Sequence, residues 1–136
     1  MRANIIALLL WLLLLPACGL NPRVSAPQYE LAKTRATAAR YLNEALGEGG
    51  TGISEINADE TTLRWHENRQ LTDQRRILVP RELVLQRVSH VNRPDHDSMG
   101  WRLSVDAAGG RVTFAFRDSR NAFKAESAFK RLMRDD

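Results

Sequence analysis

Cysteine is nearly missing from this 136-residue chain: Cys18 is the only one. No disulfide can form within the molecule, and no zinc site built on several thiolates can either. Long apolar runs are missing too. The longest, Ile5 to Leu15, has 11 residues. At ~1.5 Å per residue it reaches about 16 Å, roughly half a bilayer core, so it is too short to span one. Lysine is scarce; Lys33, Lys124 and Lys130 are the only three, and the other basic residues are arginine. The glycines Gly47, Gly49, Gly50 and Gly52 lack the Lys-Ser/Thr that completes a phosphate-binding loop. No Gly-x-Ser-x-Gly elbow occurs, and Ser98 lies too close in sequence to His96 and Asp97 to form a triad with them. The formal net charge of +4 is modest, and no nucleic-acid-binding motif accompanies it. The sequence assigns no catalytic residue, no cofactor and no nucleic-acid partner.

What is present begins at the N-terminus. Met1-Arg2-Ala3-Asn4 is short and basic, the apolar run follows, and small residues come next. That order describes a secretory signal. Leu15-Pro16-Ala17-Cys18 resembles the lipobox of bacterial lipoproteins, although Pro16 stands where Ser, Ala, Thr or Val is usual. The resemblance implies cleavage between Ala17 and Cys18, a diacylglyceryl thioether on the Cys18 sulfur, and an acylated α-amine. One acyl chain holds a protein only marginally, whereas two or three anchor it durably. Gly19, rather than Asp, follows the cysteine. By analogy with Gram-negative sorting this favours the outer membrane, with the bilayer as first partner and an envelope protein as a possible second. Catalysis by cysteine is excluded if Cys18 carries lipid.

The chain then divides into residues 1–17 as signal, 18–26 as lipidated cysteine and linker, 27–47 as helix, and 52–136 as a β-domain with a C-terminal helix. GLNPRVSA, residues 19–26, has proline, small residues and no periodicity. Pro27 to Leu46 has Leu31, Ala38, Leu42, Ala45 and Leu46 at helical spacings, with Tyr41 at the border and Gly47 as the stop. This helix is expected to dock on its own domain rather than lie on the membrane, because its stripe is narrow and rich in alanine.

Beyond Gly52 the period becomes two. Ile53 and Ile56 start a strand that ends near Asp59. Thr62 to His66 alternates, with Leu63 and Trp65 on one face, and Glu67 to Arg75 is read as an exposed loop. Ile77-Leu78-Val79 is a third strand, stopped by Pro80. Leu83 to Val91 is read as a strand, although Val84, Val88 and Val91 also fit a helix. Asn92 to Gly100 is a loop by composition. Trp101, Leu103 and Val105 face Val112, Phe114 and Phe116 across the turn Ala107 to Gly110, a clear hairpin. Asp118 or Ser119 caps a helix running to about Arg134, buried through Ala122, Ala125, Phe129, Leu132 and Met133. Six strands and a closing helix give the α+β class, with a bent antiparallel sheet or barrel. The hairpin WRLSVDAAGGRVTFAF and the helix SRNAFKAESAFKRLM resemble, in order and pattern, a small pleckstrin-homology-like or GRAM-like domain.

Two constellations could carry chemistry. His90, Asp95, His96 and Asp97 offer imidazole and carboxylate ligands of the kind zinc takes, at a spacing that matches no known metal motif. Arg69, Arg75, Arg76 and Arg81 surround the polar loop and third strand, where PH-like domains hold phosphorylated lipid heads. Glu67, Asp73 and Glu82 offset that cluster. The function these observations favour is a non-catalytic docking or structural module held at a membrane. The alternatives are an anionic-headgroup or small-ligand binder using the Arg69–Arg81 surface, or a metal-dependent activity at the histidine–aspartate loop.

Overall fold

A computed structural model describes residues 31–134. The signal, the lipobox and residues 18–26 lie outside the described residues, as does the start of the expected first helix up to residue 30. Among the described residues no helix is long and apolar enough to cross a membrane.

Helix α1 runs Arg35–Gly49. It starts later than the apolar spacing predicts because Thr34 caps it, accepting a hydrogen bond from the Thr37 backbone N–H at 3.1 Å. Leu31 falls before the helix and is 66% exposed, so it does not belong to the buried stripe. Ala38, Tyr41, Leu42, Ala45 and Leu46 do. The helix passes Gly47 and stops after Gly49, where the Gly50 N–H bonds back to the Leu46 carbonyl.

The chain then forms strands β1 (Gly50–Thr51), β2 (Ile53–Ala58), β3 (Thr62–Gln70) and β4 (Arg76–Val84). A 3₁₀ turn, Leu85–Arg87, leads to β5 (Val88–Val91), β6 (Asp95–Asp97), β7 (Gly100–Ala107) and β8 (Gly110–Phe116). Helix α2, Ser119–Leu132, follows. Asp118 is its cap, accepting from the Asn121 N–H at 3.1 Å.

The strands make two antiparallel sheets and no closed barrel. One has the order β2-β3-β4. The other has the order β1-β8-β7-β5, with β6 continuing along the β5 edge of β7. Gly52 is the corner between them: its φ of +73° turns the chain out of one sheet and into the other. The core lies between the sheets and under the helix pair. Trp65 and Phe129 pack on Phe114, with ring centroids 5.1 and 5.6 Å apart, and Leu42, Leu46, Leu63, Leu103, Val105 and Leu132 are fully buried around them.

Four expectations about the strands and their connections need correction. The segment Glu67 to Arg75 is not all loop, because β3 continues to Gln70 and pairs there with Arg76. Pro80 does not stop the third strand. The Leu71 N–H bonds the Arg75 carbonyl at 2.8 Å, and the ladder alternates from that pair. Pro80, opposite His66, therefore sits where its missing N–H faces the outer edge of β4, and the strand runs through it. Leu83 to Val91 is one strand end, one 3₁₀ turn and one new strand. Asn92 to Gly100 is not simply a loop: Asp95–Asp97 folds back on β7 around Ser98-Met99.

The helices are tied to each other by polar groups as well as by alanines. Arg35 Nη1 donates to the carbonyls of Leu132 and Arg134 at 3.1 and 2.7 Å, and Nη2 to that of Glu60 at 2.7 Å. A cation thus meets the carbonyl end of α2, where the helix dipole favours it. Lys124, 5% exposed, donates from Nζ to Glu44 Oε2 at 2.6 Å and lies over the Tyr41 ring.

Candidate functional site

The four arginines singled out around the polar loop do not converge. Alternation along β3 and β4 puts Arg69 and Arg81 on one face with Glu67 between them, at 3.1 and 3.6 Å from its carboxylate oxygens. Arg76 projects from the opposite face, since it pairs with Gln70 and lies one residue from Ile77, the partner of Arg69. Arg75 is held locally by Asp73. The surface is mixed and self-neutralised, and it forms no single concavity.

The histidine–aspartate set does not assemble either. Asp95 and Asp97 project from one face of β6 and His96 from the other. The His96 ring packs on Trp101 with centroids 4.9 Å apart. His90 lies on β5, opposite Asp106. Among the described residues no group of three or more His, Cys, Asp or Glu side chains is arranged to hold a metal. A nucleophile–base–acid set is suggested elsewhere by Ser54, His66 and Glu55. Ser54 stands opposite His66, and His66 Nδ1 is 3.0 Å from the Glu55 carboxylate. Ser54 Oγ and His66 Nδ1, however, are both buried with no hydrogen-bond partner, so no relay joins serine, imidazole and carboxylate.

What the fold does create is an open seam between the sheets. β1 covers β8 only at Phe116 and Ala115, and then the chain turns away at Gly52. The rest of the β8 edge, Arg111 to Phe114, has no strand beside it. A cleft of about 430 Å³ opens there, with Trp65 and Phe114 among its walls and Glu67 and Arg81 facing Arg111 and Thr113. A second cleft of about 320 Å³ adjoins it at Arg81 and Val112 and reaches the β7–β8 turn. In the β7–β8 ladder the closing pair Ala107–Gly110 flanks a two-residue turn, so the backbone groups of Arg111 and Thr113 point to the open edge.

A different concavity lies on the solvent face of the five-stranded sheet. The hairpin alternation puts Arg102, Ser104 and Asp106 of β7 outward, beside Ala115, Thr113 and Arg111 of β8. This cleft, about 280 Å³, is lined by Asn92, Arg93, Asp95, Asp97, Arg102, Ser104 and Arg111, with His96 at its margin. Arg111 Nε donates to Asp106 Oδ1 at 2.8 Å. That bond, foremost, holds the Asp106 carboxyl below its ordinary range, and Asp106 in turn raises Arg111. Arg102 Nε is 2.9 Å from Asp97 Oδ2. Sequence reasoning missed these arginines. The outward alternation of Arg102, Ser104 and Asp106 was visible, with Arg111 across the turn from Asp106, but the register that brings in Asn92 was not.

No protein-family model matches the chain, and neither the curated proteins nor the solved structures contain a match.

Proposed function

We propose that this protein is a lipid-anchored envelope protein whose folded part is a non-catalytic docking module, and that the seam beside β8 is where an extended segment of a partner protein docks. The observation that carries this reading is the unpaired β8 edge above the Trp65–Phe114 contact. Strand addition takes affinity from main-chain hydrogen bonds and specificity from pockets for alternate side chains. Arg111 and Thr113 supply the first, and the space beside Trp65 and Val112 supplies the second. The antiparallel sheets with a C-terminal helix are consistent with a PH-like relationship. The preceding helix α1 and the open seam are departures from that pattern.

The anchor rests on Leu15-Pro16-Ala17-Cys18. Outer-membrane placement follows from Gly19 by the sorting analogy above. Replacement of Cys18 by Ser should abolish incorporation of labelled palmitate and move the protein out of the membrane fraction. Unchanged labelling and fractionation would remove the anchor. A photo-crosslinking residue at Thr113 should capture a partner in intact envelopes, while one at Gln86, outside both clefts, should not. Equal capture at both positions would remove the seam.

A further inference from the structure

The smaller of the two seam clefts, about 320 Å³, holds charges that the docking reading leaves unused. Its walls include the small residues of the β7–β8 turn, together with Arg81, Val84 and Arg87. Arg87 ends the 3₁₀ turn and is exposed. Among the described residues its guanidinium has no ion pair and no hydrogen bond. Glu82 is the only acid lining this cleft, and Arg64 Nε bonds it at 3.0 Å. Arg81 shares Glu67 with Arg69. Arg69 Nε bonds one oxygen at 3.1 Å, whereas Arg81 Nη1 stands 3.6 Å from the other, beyond hydrogen-bond range. Glu67 and Glu82 thus face Arg64, Arg69, Arg81 and Arg87, two carboxylates against four guanidiniums. Arg111 adds nothing to that excess, because Asp106 cancels it.

The backbone fixes which end of an added strand meets those cations. β1 runs antiparallel to β8, pairing Gly50 with Phe116 and Thr51 with Ala115. A segment that takes up the course β1 abandons at Gly52 runs antiparallel too. It passes Thr113, then Val112, then Arg111, and its C-terminal end enters the cleft of Arg81 and Arg87. A parallel segment would bring its N-terminal side there instead, and a terminal ammonium would be repelled. From Thr113 to Arg111 is two residues, about 7 Å, so a short tail spans the open edge. Its residue opposite Val112 shares the inward face of Val112, where Trp65 also lines the space, so an apolar side chain fits.

We infer that the segment docked in the seam is the C-terminal tail of a partner protein, added antiparallel to β8, with its terminal carboxylate held by Arg87 and Arg81. The inference rests on the docking reading and adds the direction and the end group of the occupant. A planar guanidinium matches the two oxygens of a carboxylate, and the bonds are charge-assisted. The main-chain groups of Arg111 and Thr113 hold the tail by strand addition, and the arginines select a chain that ends there.

The test presents the labelled full chain, in neutral detergent micelles, to two arrays of random hexapeptides tethered by their N-termini. One array has free C-terminal carboxylates and the other C-terminal amides. Retention is expected on the free-carboxylate array, at least tenfold above the amide array. Arg87→Gln should weaken it about tenfold, as expected for loss of a charge-assisted contact, and Arg76→Gln, on the opposite face of β4, should leave it unchanged. Thr113→Pro should abolish it, because the Thr113 N–H faces the seam and not the β7–β8 ladder. Circular dichroism reports whether each variant is folded, and Arg87→Gln, an exposed change, decides the matter if Thr113→Pro is not. Equal retention on both arrays that Thr113→Pro abolishes overturns the carboxylate and leaves the seam standing. No retention on either array, or undiminished retention of the folded Arg87→Gln chain, overturns the inference. Capture of a partner at Thr113 in intact envelopes is a separate measurement, so this inference and the docking reading fail separately.

Discussion

Lys124 shows how a residue's surroundings can outweigh its type. Among the described residues it is the only buried charged side chain. The helical repeat marked Ala122, Ala125 and Phe129 as the inner side of α2 and left Lys124 on the flank. That flank is covered because Ala38 and Ala45 of α1 and Ala122, Ala125 and Ala128 of α2 let the helices approach closely. Gly49 marks the tightest point, where an added Cβ would stand 2.6 Å from that of Asn121. The methylene stem of Lys124 is then core, while its ammonium is met by Glu44 and the Tyr41 ring. Glu44 remains partly exposed, so it tolerates loss of its partner. Lys124→Ala should lower stability in urea unfolding by about 1–3 kcal/mol, and Lys124→Met, which keeps the stem, should recover most of that. Equal losses in the two variants would show that the ion pair, not the stem, carries the effect.

At the scale of elements, legibility followed how local the causes were. The β7–β8 hairpin was readable because its alternation and its Ala-Ala-Gly-Gly turn are both contained in sixteen consecutive residues. The capping of α2 by Asp118 is equally local. Pro80 was misread because its effect depends on which edge of β4 its nitrogen faces, and only the register with β3 decides that. The solvent-face cleft was hidden for the same reason: Asn92 and Asp95 reach it from beside β7 on the side away from β8, and no local signal gives that register. Pro80 also has a protective use. β4 is an edge strand with Leu78 56% exposed and Ile77 39% exposed, which is the profile of an unwanted pairing site. Its proline removes one donor from the open edge. Pro80→Val should leave the monomer folded but increase concentration-dependent self-association in sedimentation measurements. A variant that stays as monodisperse as the parent would show that the edge is protected by something else.

For the molecule as a whole, acid is the informative stress. Asp59 is held below its ordinary value of 3.8 mainly by the Thr61 and Thr62 backbone N–H groups, Asp106 by Arg111, and Glu44, below 4.5, by Lys124. All three values are depressed in the folded state. Their contribution is therefore present above the ordinary values and lost as pH falls through the lowered ones. Thermal unfolding should be nearly level from neutrality to about pH 5 and should decline below about pH 4. Lys124→Met should show a shallower decline, because Glu44 then titrates near its ordinary value. A midpoint that begins to fall between about pH 7 and 5 would contradict this assignment.

Arg35 stands at the threshold between the preceding residues and the folded body, and it grips two carbonyls at the end of α2 and one in the β2–β3 turn. Tension transmitted along the chain from its N-terminal side would load that three-way clasp before it reached the core. The pull would be shared among the first helix, the last helix and a sheet, and would not peel one helix away turn by turn. If the proposed anchor holds the molecule at a membrane by its leading end, the body would resist tugging where the rope is tied.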